Sequence, residues 1–165
     1  MAAHEPWSTE RAAQVIAQHR HLDGAAMPIL HALQETFGFV PEPAVPMIAE
    51  TLNLSRAEVW GVVTFYHDFR REPAGRHVVK LCAAEACQAM GGAALAAYAE
   101  EKLGVAMGET SADGRVTLEP IYCLGLCACA PSALVNGQLL GRLDAAAIDE
   151  IAFEAANDST REAGR

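Results

Sequence analysis

Four cysteines in two local pairs carry the chemistry this chain is equipped for. Cys82 and Cys87 form a Cys-x4-Cys pair, Cys123 and Cys127 a Cys-x3-Cys pair, and each pair sits at the end of a short apolar run that reads as a strand. Thiolates are the protein ligands of binuclear and cubane iron-sulfur clusters, four to a cluster, so this set would satisfy one cluster with nothing left over. Structural zinc takes knuckles with two to four residues between ligands. The second pair therefore passes as a zinc half-site and the first sits at the edge, which leaves zinc open on spacing alone. A redox-active disulfide of the Cys-x-x-Cys kind fits neither pair.

The other reactive residues add less. Cys129 lies two positions after Cys127, too close to replace it without rebuilding the loop, and reads as a small side chain beside the site. The histidines His4, His19, His21, His31, His67 and His77 all fall outside the cysteine loops, which argues against a mixed histidine-cysteine centre. Gly91-Gly92 lacks the GxGxxG frame, so no dinucleotide site is read in this chain.

Composition bounds what such a centre could serve. The 165 residues are 52% hydrophobic and 20% charged, enough to bury a core, and the net charge of −9 lacks the clustered Lys and Arg that nucleic acid or an anionic membrane would need. Neither a signal-peptide core nor an apolar run of spanning length is visible, so the expectation is a cytoplasmic protein without direct membrane insertion whose partners are proteins. In that reducing compartment, five cysteines point to metal or redox chemistry rather than disulfides.

The elements that must position the cysteines change character along the chain. Residues 1–72 read as a small helical bundle. Ser8 caps a first helix with Ala12, Val15, Ile16 and His19 at helical spacing; Pro28 starts a second carrying Ile29, Leu30, Leu33 and Phe37 up to Gly38. A third begins near Pro43 with Val45, Ile48, Ala49 and Leu52, and the capping box of Ser55 and Glu58 opens a fourth. Phe65 and Tyr66, at its end, are expected to serve packing and docking. Arg70-Arg71-Glu72-Pro73-Ala74-Gly75 reads as a linker. Residues 76–156 then turn to α/β: a strand at 77–81, a helix over 88–103, a strand at 116–122 preceded by an Asp113-Gly114 turn, and a hairpin across Asn136-Gly137. A last helix, capped by Asp144, extends to about residue 155, with a disordered tail at 157–165. Side-by-side strands would let the cysteine loops converge, and a helix start after Cys87 would offer N–H groups to an anionic cluster.

These residues resemble a known family. The two cysteine pairs, Cys123-Leu124-Gly125-Leu126-Cys127 followed by Ala130-Pro131, Val135-Asn136-Gly137, and upstream Gly61-Val62-Val63-Thr64-Phe65-Tyr66 are similar to the thioredoxin-like [2Fe-2S] ferredoxins over about residues 25–153. That family includes the small flavin-associated subunit of respiratory NADH:quinone oxidoreductase and its relatives in NAD-linked hydrogenases and formate dehydrogenases. The resemblance implies an α+β chain, a helical bundle followed by a thioredoxin-like domain, with one [2Fe-2S] cluster on Cys82, Cys87, Cys123 and Cys127. It also implies a larger partner subunit that binds FMN and NAD, the cluster exchanging single electrons with the flavin, and a redox role with no turnover by this chain alone.

Within the family, Asn53-Leu54-Ser55-Arg56-Ala57-Glu58-Val59, Pro73-Ala74-Gly75-Arg76-His77-Val78-Val79, Glu85-Ala86-Cys87-Gln88 and Cys127-Ala128-Cys129 look most like the gamma subunit of soluble, NAD-dependent molybdenum formate dehydrogenases. The main expectation is accordingly a formate dehydrogenase subunit, linked through the FMN subunit to a molybdenum-containing catalytic subunit. The alternative is the equivalent subunit of respiratory NADH:quinone oxidoreductase or an NAD-linked hydrogenase, with a zinc-stabilised adaptor as a distant third.

Overall fold

The computed structural model describes residues 4–162. Internal packing divides the chain into two compact units, Met1–Pro73 and Ala74–Arg165.

The first unit is four helices: α1 (Thr9–His19), α2 (Ala26–Phe37), α3 (Ala44–Leu52) and α4 (Arg56–Phe65). Local chemistry sets their ends. Ser8 accepts the Arg11 N–H, and Gly38 closes α2 in the left-handed region that costs glycine nothing. At α4 the capping box is complete: Ser55 Oγ accepts the Glu58 N–H at 3.2 Å, and the Glu58 carboxylate accepts the Ser55 N–H at 2.8 Å. Helix α2 begins two residues ahead of Pro28, which the first turn accommodates because its N–H would have no helical partner. The apolar stripes meet as Ala12, Val15, Ile16, Ile29, Leu30, Leu33, Ile48, Val59 and Val63 in one core.

The expected packing role of Phe65 and Tyr66 needs correction. Phe65 is 73% exposed and Tyr66 is exposed beside it, because α4 turns only Val59 and Val63 fully inward. Tyr66 is the C-cap of α4, and its ring lies edge-on between Phe65 and Phe69.

The second unit is a five-stranded sheet in the order β2-β3-β1-β4-β5, with strands β1 (His77–Cys82), β2 (Glu109–Thr110), β3 (Val116–Ile121), β4 (Ser132–Val135) and β5 (Gln138–Gly141). Strands β1 and β3 run parallel, from His77 beside Val116 to Cys82 beside Ile121. The β4–β5 hairpin turns on Asn136 and Gly137, both at positive φ, as a tight two-residue turn requires. Asn136 also ties the turn to β1: its side-chain oxygen accepts the Val78 N–H, and its own N–H reaches the Val78 carbonyl, each at 2.9 Å.

Three helices complete this unit: α5 (Glu85–Ala89), α6 (Gly92–Leu103) and α7 (Ala145–Glu162). Val79, Leu81, Val116, Leu118, Ala133 and Val135 project from one face of the sheet into a core with Ala99 and Leu103 of α6 and Ile148, Ile151 and Ala155 of α7. The opposite face carries the neighbours Lys80 and Glu119, paired at 3.4 Å.

Two helix expectations change. The single helix at 88–103 is two, because Gly91 at φ +88° breaks the chain direction and Gly92 starts α6 against Cys87; a Cβ on Gly92 would stand 2.6 Å from the Cys87 carbonyl oxygen. The last helix does not stop at 155. Asp144 caps it through the Ala147 N–H as expected, but no Gly or Pro interrupts it, so 157–162 continue as helix where a disordered tail was expected. Residues 163–165 lie outside the described residues.

Both tryptophans, Trp7 and Trp60, belong to the helical unit, so fluorescence during urea unfolding reads that unit. Ser55→Ala should lower its stability by about 1 kcal/mol through the lost cap, and Leu33→Ala by about 2–5 kcal/mol through a cavity in a fully buried site. Losses of equal size would mean that the core and cap assignments are wrong.

Candidate metal centre

The cysteines come together because β1 and β3 end level with each other. Cys82 is the last residue of β1, and the parallel register puts it beside Ile121, two residues before Cys123. The chain after β1 is held to β3 by one further bond, from the Ala83 N–H to the Ile121 carbonyl at 2.8 Å. Cys87 follows inside α5, not ahead of a helix as expected, and Cys127 opens the short 3-10 turn Cys127–Cys129. Cys123 is at φ +72°, a left-handed conformation unusual for a residue with a Cβ, and Gly125 at φ +77° turns the same loop.

This loop brings amide groups to sulfur. Burial pushes the Cys82 thiol up. Hydrogen bonds from the Ala84 N–H, from the Cys87 thiol and from the N–H groups of Cys123 and Leu124 outweigh that and bring it down to about 7. Cys127 is displaced the other way, first by its hydrogen bond and charge interaction with Cys123, then by burial and by Cys87 and Cys82. Both shifts follow from one arrangement, in which the four sulfurs are near enough to feel one another while the amides favour negative charge at the inner end.

Exposure grades across the site. Cys82 and Cys87 are buried, while Cys123 and Cys127 are exposed with their sulfurs 3.8 Å apart. That separation is the edge of a tetrahedron built on metal-thiolate bonds of about 2.3 Å. Among the described residues, no three His, Cys, Asp or Glu side chains gather around a point that a single ion could occupy.

Cys129 is half-buried and packs against the β5 end, where a Cβ on Gly141 would stand 2.9 Å from its own Cβ. One polar residue near the sulfurs was missed in the sequence. Ser132, at the start of β4, is buried with its hydroxyl 3.5 Å from the Cys87 sulfur. The available signal was a lone hydroxyl opening the apolar run Ser132-Ala133-Leu134-Val135. A groove of about 530 Å³ lies on the helical unit among Glu42, Pro43, Val45, Pro46, Arg56 and Trp60, and no cysteine lines it. No helix among the described residues is long and apolar enough to cross a membrane.

Known proteins resemble this chain over most of its length. Residues 12–156 match the family model described as thioredoxin-like [2Fe-2S] ferredoxin, a span that includes all four cysteines. The chain is 36% identical over 135 residues to a NADH-quinone oxidoreductase subunit from Pseudomonas aeruginosa, covering 81% of each. It is 35% identical over 151 residues to the like-named protein from Escherichia coli, covering 90% of this chain and 91% of the relative. A solved NAD+-reducing [NiFe]-hydrogenase is similar in structure at a TM-score of 0.66 and 28% identity, over 77% of this chain but only 22% of that chain. The chain belongs to the thioredoxin-like [2Fe-2S] ferredoxin family.

Proposed function

We propose that this chain is the electron-transfer subunit of an NAD-linked oxidoreductase of the NADH-quinone oxidoreductase or NAD-reducing hydrogenase type, with one [2Fe-2S] cluster held by Cys82, Cys87, Cys123 and Cys127. The observation that carries the reading is the match over nearly the whole chain to NADH-quinone oxidoreductase subunits, within a family span that contains every one of these thiols. The donor set fits the group: four thiols, one pair at a tetrahedral edge, and amide donors aimed at Cys82. When bound, the cluster supplies one-electron storage.

The chain's own residues do the rest. Backbone N–H groups of Ala84, Cys123 and Leu124 offset thiolate charge at Cys82, and the burial of Cys82 and Cys87 keeps water from the inner pair. Electrons exchange on the outer side, where Cys123 and Cys127 are exposed and Tyr122, next in the chain to Cys123, also stands out into solvent. An FMN- and NAD-binding partner subunit belongs on that side, with hydride chemistry at its flavin. In this reading the chain alone turns over no substrate.

The formate dehydrogenase expectation has narrower support, the likeness of the four segments from Asn53, Pro73, Glu85 and Cys127 to gamma subunits. The relatives found favour the other two assemblies. Metal analysis of the assembly that co-purifies anaerobically with the chain decides among them. Neither nickel nor molybdenum, in a membrane-bound assembly reducing quinone with NADH, is the expected result for the respiratory type; nickel means the hydrogenase type. Molybdenum with formate-dependent NADH formation would overturn both in favour of formate dehydrogenase.

Ser at Cys82, Cys87, Cys123 or Cys127 should abolish or destabilise the cluster, while Cys129→Ser should leave iron and sulfide content unchanged. Any of the first four retaining full content would remove that residue from the ligand set.

Cluster uptake by the apo-chain should also depend on pH. Ligation requires thiolate, and the Cys82 thiol titrates at about 7, so above that pH it is already ionised and below it a proton must be expelled. Reconstitution with ferrous iron and sulfide should therefore fall more steeply with pH below about 7 than above it, because one more proton must then be expelled. A pH dependence of uptake with no such steepening would contradict the amide-stabilised thiolate at Cys82.

A further inference from the structure

Ser132 is fully buried, on the same face of the sheet as Cys82 and one step beyond the last pair that joins β1 to β4, Leu81 with Ala133. Its hydroxyl lies 3.5 Å from the Cys87 sulfur, with 45 positions of chain between them. A buried hydroxyl requires a partner, and among the described residues this one is hydrogen-bonded to that sulfur. Two features hold it there. Ser132 pairs with Gly141 across the β4–β5 ladder, and Gly141 in turn presses on Cys129, so the strand start is fixed against the second cysteine loop. On the other side Gly92 brings the start of α6 onto the Cys87 backbone, which fixes where that sulfur can stand.

Between two neutral groups either atom could donate. Once Cys87 is a metal-bound thiolate it has no proton, so Ser132 Oγ–H must be the donor and sulfur the acceptor. We propose that Ser132 is a positioning residue that tunes the cluster's reduction potential through Cys87. This rests on the four-cysteine ligand set proposed above. The oxidised cluster with its thiolates is a dianion and takes one electron to become a trianion, with no proton transferred; the electron comes from a one-electron donor such as reduced flavin or dithionite. Charge on the ligand sulfurs rises in that step. A hydrogen bond to sulfur therefore stabilises the reduced form more than the oxidised one and raises the potential. Because the bond lies in a buried site, water cannot replace it when it is removed.

The test is a redox titration of the full chain, loaded anaerobically and followed by electron paramagnetic resonance with dithionite as reductant, with iron and sulfide counted on each sample. Ser132→Ala should keep full cluster content and move the potential negative by about tenfold in the reduction equilibrium, about 59 mV for a one-electron couple. Ser132→Thr, which keeps the hydroxyl, should restore it. Should Ser132→Ala fail to load, Ser132→Cys, a weaker donor of similar size, should shift the potential in the same direction by less. An unchanged potential in a fully loaded Ala variant, or in the Cys variant where Ala does not load, overturns the assignment. A native chain that binds no iron would overturn the cluster reading itself, a result that iron counting separates from a failure at Ser132.

Discussion

The whole centre depends on the level ending of two parallel strands. Six consecutive residue pairs, from His77–Val116 to Cys82–Ile121, hold β1 and β3 in register, and the Ala83 N–H extends the ladder one step past the first cysteine. A slip of one residue would invert which side chains face the core, taking Val79 and Leu118 out of it and Cys82 into it. What prevents the slip is burial: Val79, Val116 and Leu118 are wholly enclosed beneath α6 and α7, each contributing about 1.5–3 kcal/mol by leaving water. The apolar face thus fixes the register, and the register fixes the distance between the two cysteine loops.

An acidic chain that gathers four thiols faces an electrostatic problem whenever they ionise, and it is not solved with cations. The net charge is −9, and the groups that bring Cys82 down to about 7 are backbone amides and a neighbouring thiol rather than Lys or Arg. Amides have the advantage of being fixed by the fold. They need no side-chain ordering and cannot be drawn away by solvent or by the acidic residues elsewhere on the surface. The left-handed conformation of Cys123 belongs to the same solution, since it forms part of the turn whose N–H groups reach the Cys82 sulfur. For a centre whose charge grows on reduction, fixed donors of this kind are the economical arrangement.

Features written in adjacent residues were legible in the sequence, and features made by distant ones were not. Ser55 with Glu58, Asn136-Gly137 and Asp144 each announce a structure that closes within a few positions, and each appears where expected. The divided helix after Cys87 was half visible: Gly91-Gly92 marks a close approach, but that the approach is to the Cys87 carbonyl, and so ends one helix and begins another, depends on folding back. Ser132 was invisible for the same reason, its partner being reached only through the β1–β4 pairing. Phe65 and Tyr66 failed differently. Aromatic residues at the end of an amphipathic pattern suggest burial, yet a four-helix unit of this size has room inward for only one side of α4, the side with Val59 and Val63.

Separate cores also divide the labour within the chain. The helical unit closes on Ile16, Ile29, Leu33, Ile48 and Val59 with no thiol among them, so no cysteine takes part in its core packing. In the sheet unit the reverse holds. Leu81 fills the core and the next residue, Cys82, points to the opposite face, so one strand serves both packing and the thiol site in alternation. Ser132 and Ala133 repeat the pattern on β4: Ala133 packs inward and Ser132 faces the sulfur of Cys87. The two-residue period of the strand is therefore what lets a unit this small hold a hydrophobic core on one side of its sheet and a polar site with thiols on the other.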